Sequence, residues 1–172
     1  IKDHVEEIRS DQEEGYPVCA IKGAYDFLRE NGITPNLYLS VEPRYRPIKD
    51  PSKDTVFLMA SRCHPEDFDE MIEKDLDILL WHSWTNQEDS YYKDTLGIGG
   101  GSTSGLRALN VAYILGFKHI KMYGMDSCLV EGEKRIGQGK IHPGVKTTSF
   151  RVEEGGPQFL CNMAMAAQAD EF

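Results

Sequence analysis

The feature that most constrains this chain is a regular alternation. Short apolar runs take turns with helical stretches, and no two-residue hairpin signal joins one run to the next. Residues 17–21, 37–41, 55–59, 77–81 and 119–123 read as buried strands. Between them lie a helix over 24–31 closed by Gly32, an acidic helix opened by Pro65 and running to about residue 74, and a helix over 105–115 closed by Gly116. Strands separated by helices run parallel, and a parallel sheet is covered on both faces. The expected fold is therefore α/β: a Rossmann-like three-layer sandwich with a mainly parallel sheet. The 105–115 helix is apolar nearly all round and is expected in the middle of the protein. A last helix is expected over 159–169, and the stretches 82–96 and 127–147 read as loops.

Size and charge narrow the class further. A chain of 172 residues supports one substantial core rather than two, so a single domain over residues 1–172 is expected. With 19 Lys and Arg against 28 Asp and Glu, the net charge of −9 argues against a nucleic-acid partner. No apolar run approaches the roughly 18 residues of a membrane span, so no membrane association is expected. The cysteines at 19, 63, 128 and 161 form no CxxC pair, fall in or beside expected core elements, and with the lack of any Asn-x-Ser/Thr acceptor point to the cytoplasm. The chain opens Ile1-Lys2-Asp3-His4 and enters a helical stretch at once, so an upstream strand is expected to be missing from this sequence.

Parallel sheets take ligands beyond the carboxyl ends of their strands, near a topological switch point. The glycine-serine stretch Gly97 to Gly105 (GIGGGSTSG) stands at such an end. Glycines allow close backbone approach, and the following helix start offers unpaired N–H groups. Gly99, Gly100, Gly101, Ser102, Thr103, Ser104 and Gly105 are thus candidates for holding phosphate or carboxylate. The stretch matches no named fingerprint: serines occupy 102 and 104 where a dinucleotide motif needs glycine, Leu106 replaces the P-loop lysine, and Thr103 stands at the nucleophile-elbow position. A capped turn is the alternative.

Glu42 and Asp126 each follow an expected strand and are candidate catalytic carboxylates, with Arg44 and Arg46 beside Glu42 able to pair it or to meet an anion. The 127–147 loop carries Lys134, Arg135, Lys140, His142 and Lys146, which suits a basic lid over a nucleotide, and His142 is a candidate acid or base. His64-Pro65-Glu66 lacks the PCxxC partner of a zinc deaminase, and no His spacing suits a structural metal. Trp81, His82 and Trp84 read as packing residues, His4 and His119 as exposed, and the acidic run 66–77 as a solvated face.

Two stretches resemble the MptE-like family. Residues 20–41 (AIKGAYDFLRENGITPNLYLSV) are similar to its small-residue turn, helix and NGI-P segment. Residues 99–126 (GGGSTSGLRALNVAYILGFKHIKMYGMD) are similar to its GGS core. The second stretch also resembles, more distantly, the nucleotide-sugar half of small bacterial sialyltransferases. The resemblance implies a nucleotide-dependent transferase that passes diphosphate from ATP, with Mg²⁺, to a small hydroxymethyl acceptor. Under it Ser102 to Gly105 hold phosphate or a sugar carboxylate and Asp126 faces the nucleotide. The alternatives are transfer of a CMP-activated sugar, with His142 or Glu42 as base, or a non-catalytic nucleotide-binding module. The expected partners are a nucleotide, a small-molecule acceptor and further copies of the chain. Three departures stand out: the family's opening strand and glycine turn do not precede Ile1, Glu42 replaces an aspartate, and Lys22 stands where many relatives carry Asn or Asp.

Overall fold

The computed structural model describes residues 1–84, 94, 97–125, 147–151, 158–162, 165, 167 and 168. After a 3-10 turn at Lys2–His4 the elements are α1 (Val5–Glu13), β1 (Cys19–Ile21), α2 (Ala24–Glu30), β2 (Leu37–Ser40), β3 (Val56–Ala60), α3 (Pro65–Glu73), β4 (Ile78–Ser83), β5 (Gly97–Ile98), α4 (Ser104–Ile114), β6 (Thr147–Arg151) and β7 (Gln158–Asn162). The first five strands form one parallel sheet in the order β1-β2-β3-β4-β5, the Rossmann-like α/β arrangement expected. Among the described strands the order follows the chain without reversal, so no switch point falls between them.

The core sits on β2 and β3, whose nearly continuous apolar sequences are those of strands buried on both faces. Tyr38 and Phe57 are register partners. Tyr25 of α2 closes over them, with ring centroids 5.4 Å from Tyr38 and 5.8 Å from Phe57. Its phenolic oxygen lies 3.1 Å from Thr55 Oγ1 and accepts the Ser52 N–H at 2.9 Å, so the buried hydroxyl is satisfied. Burial fades toward β4. Phe57 and Leu58 are sealed, whereas Leu79 and Leu80 are 43% and 55% exposed, because β5 pairs only with His82 and Ser83.

Three elements differ from the sequence reading. Residues 119–123 form no strand. A strand needs a neighbour to complete its hydrogen bonds, and this segment lies instead against α1. There Lys121 Nζ meets Glu7 Oε1 at 2.7 Å and Asp11 Oδ2 at 3.0 Å, and Tyr123 donates to Asp11 Oδ2 at 2.9 Å. Helix α4 is only half covered: Leu106 and Val111 are buried, while Tyr113, Ile114 and Leu115 are exposed. The helix expected over 159–169 does not begin at its first residues: Gln158–Asn162 form β7, antiparallel to β6. The Ala- and Met-rich residues that favour a helix lie beyond β7, where the described residues 165, 167 and 168 are helical, while residues 158–162 find a cross-strand partner in β6.

Candidate functional site

Because β1 to β5 are parallel, their carboxyl ends share one edge of the sheet, and the residues just beyond them decide what that edge does. Ser40 ends β2, and its hydroxyl accepts the Glu42 N–H at 3.3 Å, while Cys63 Sγ donates to the Ser40 carbonyl at 3.3 Å. This turn brings Glu42 back into the protein, where it is 5% exposed. A buried carboxylate needs opposite charge, and two neighbours supply it. Arg44 Nε donates to Oε1 at 2.7 Å and Nη2 to Oε2 at 3.2 Å. Lys22, the residue directly after β1, places Nζ 3.2 Å from Oε2. The Arg44 guanidinium above all, with Lys22 behind it, holds the Glu42 carboxyl down at about 2 against the cost of burial.

Lys22 has φ 51°, in the left-handed region that costs an L-residue about 1–2 kcal/mol. Its carbonyl accepts the Tyr25 N–H at 3.1 Å, which starts α2. Of the two further arginines, the exposed Arg62 lies two residues beyond β3, whereas Arg46 lies farther along the loop from β2, beside Ile48, Asp67 and Met71. The Arg46 N–H reaches Asp67 Oδ1 at 3.1 Å, and burial raises the Asp67 pKa. Asp67 is thus an exception to the solvated face expected for 66–77. His64 caps α3 through Nδ1, which accepts the Glu66 N–H at 3.3 Å.

At the far end of the edge the chain turns on backbone geometry. Gly100 and Gly101 have φ 118° and 53°. A Cβ on Gly101 would stand 2.4 Å from Leu106 Cβ, and one on Gly100 would stand 1.8 Å from Asn110 Nδ2. The loop therefore folds onto the first turns of its own helix. Thr103 is the N-cap of α4 and accepts the Leu106 N–H at 3.2 Å. Arg107 of α4 reaches back to the buried Ser83 hydroxyl at the end of β4.

The structure thus places Glu42 with Gly99, Gly100, Gly101, Ser102, Thr103, Ser104 and Gly105 on one sheet edge, with two strands between their own. On a flat sheet three strand spacings amount to roughly 14 Å. Asp126 and His142 lie outside the described residues, as does Cys128. Cys63 and Cys161 are buried as expected, but Cys19 is exposed. His4 and His119 are exposed, Trp81 is buried, and Trp84 is 44% exposed. The partner that sequence reasoning missed is Lys22. Its signal was positional: residues directly beyond adjacent parallel strands become neighbours however far apart they lie in the chain.

Fold and edge together define a Rossmann-like α/β domain that gathers cations at the carboxyl edge of its sheet. The family model described as 6-hydroxymethylpterin diphosphokinase MptE-like matches residues 1–132, and the chain belongs to the MptE-like family. No curated protein and no solved structure matches it. Among the described residues no helix is long and apolar enough to cross a membrane.

Proposed function

We propose that this domain is a nucleotide-dependent transferase that passes diphosphate from ATP to a small hydroxymethyl acceptor. The observation that carries the reading is the Lys22, Glu42 and Arg44 cluster at the sheet's carboxyl edge in an MptE-like chain. Diphosphoryl transfer asks the protein for positioning and for stabilisation of phosphate charge rather than for a covalent group. Lys22 and Arg44 provide that charge, and the Ser102 and Ser104 hydroxyls stand at the other end of the same edge. Glu42 organises the cations and is not the base, because a carboxyl held at about 2 is a poor proton acceptor near neutral pH.

Magnesium, implied by the family's chemistry, does not fit Glu42, since both of its oxygens already face cations. The same saturation of Glu42 favours a second reading, a CMP-sugar donor, whose transfer does not strictly require a metal.

The test is to incubate the protein with ATP and 6-hydroxymethylpterin and follow AMP and the diphosphorylated pterin. Acceptor-dependent release of AMP is the expected result. ATP left intact, with a CMP-sugar consumed instead, would move the assignment to glycosyl transfer.

A further inference from the structure

The cluster on Glu42 is not closed on itself. Two cations face one carboxylate, so the group carries a residual positive charge in a chain of net charge −9. Its donors are not used up: Lys22 spends one of three N–H groups on Glu42, and Arg44 keeps donors outward with its side chain 77% exposed. Arg62, beyond the adjacent strand, adds a third cation to the same edge. Lys22 is also held in a backbone conformation that asparagine or glycine adopts at less cost. A lysine kept at such a turn is a strained residue at the place where α/β sheets take ligands, and strain of this kind points toward function.

We propose that Lys22 and Arg44, held in place by Glu42, form a two-cation clamp for a diphosphate, which they bind without a divalent cation. The chemistry follows from the parts. Guanidinium presents a planar fork of donors to phosphate oxygens, and ammonium adds a compact point charge. Glu42 fixes both heads before the ligand arrives, so less side-chain freedom is lost on binding. The inference deepens the transferase reading and rests on it only for the kind of ligand.

The experiment titrates the whole chain with inorganic pyrophosphate by calorimetry in EDTA, and again with Mg²⁺. The variants are Lys22→Gly, Arg44→Ala and, as a control, Lys53→Met. Glycine accepts φ 51° without strain, so Lys22→Gly tests the cation with the turn intact, and near-ultraviolet circular dichroism checks its fold. Lys53 pairs with Asp75 at 2.8 Å and precedes β3, at the opposite edge of the sheet.

The expected result is pyrophosphate binding in EDTA that weakens at least about tenfold in Lys22→Gly and in Arg44→Ala, and less than about twofold in Lys53→Met. Binding that requires Mg²⁺, equal loss in all three variants, or wild-type affinity in the folded Lys22→Gly protein would each overturn the clamp. The two readings fail separately. Pyrophosphate binding without AMP release removes the transferase and keeps the clamp, whereas AMP release with an unchanged KM for ATP in Lys22→Gly does the reverse.

Discussion

Beyond β2 the chain is held by charge, and beyond β5 it is held by backbone. At the first end a buried carboxylate draws in Lys22 from the neighbouring strand and Arg44 from its own loop, so side chains define the shape. At the second end Gly100 and Gly101 let the loop lie on Leu106 and Asn110, and Thr103 closes the helix. A loop whose glycines are explained by their own packing needs no ligand to account for them. A cation cluster with donors left over does invite one. The less conspicuous stretch of sequence therefore carries the stronger chemical argument.

The largest effect that would sharpen this contrast is expected at Gly101. Alanine there is strained by φ 53° and brings a Cβ to 2.4 Å from Leu106 Cβ, which cannot swing away as a side-chain tip would. Gly101→Ala is expected to cost about 2–3 kcal/mol. For a chain of this size that lowers the melting midpoint by roughly 4–12 °C in calorimetry. Combining it with Leu106→Ala should cost less than the sum of the two single changes, because they share one contact. Simple additivity would show that the loop is not held by this approach.

Next comes the charged end. Glu42→Ala is expected to destabilise by about 1–2 kcal/mol in urea unfolding at pH 7. The figure is kept low because the exposed Arg44 guanidinium is partly screened by water. The sign with pH is definite. The folded carboxyl titrates at about 2 and the unfolded one near its ordinary 4.5, so the contribution is full above pH 4.5 and is lost as the pH falls toward 2. Asp67, raised by burial, acts with the opposite sign and offsets part of that loss. Glu42→Gln should flatten the acid limb of the stability profile, and an unchanged slope would mean that Glu42 is not ion-paired in solution.

The cap follows at about 1 kcal/mol for Thr103→Ala. A cap was legible in the run Ser102-Thr103-Ser104, since a hydroxyl before an apolar helical run is a start signal, though not which of the three provides it. So were β1 to β4, α2, α3 and α4, found within about two residues, because period and punctuation are local. What was not legible was partnership. The segment 119–123 has the composition of a strand, but Lys121 and Tyr123 find Glu7 and Asp11 on α1, more than a hundred positions earlier. Residues 158–162 pair with Thr147–Arg151, and no local signal announces that register. At the site, Glu42 was readable as a strand-end acid. Its pairing with Arg44 was readable too, whereas its burial and its second cation, Lys22, which enters from a different strand, were not.

The smallest expected effect is the most discriminating. Lys22→Ala removes the ion pair with Glu42 and keeps the left-handed turn, so it should cost about 1 kcal/mol. Lys22→Gly removes the same pair but relieves strain of about 1–2 kcal/mol, while loosening the unfolded chain by roughly 0.5–1 kcal/mol. The terms nearly cancel, and the glycine variant is expected within about 0.5 kcal/mol of the parent by the same urea measurement. If glycine proves as costly as alanine, the turn at Lys22 is unstrained and the lysine stands there for stability alone. If glycine is neutral and alanine is not, the β2 end of the edge is charge-built on a backbone that would prefer another residue, and the reason for keeping lysine must lie in what it binds.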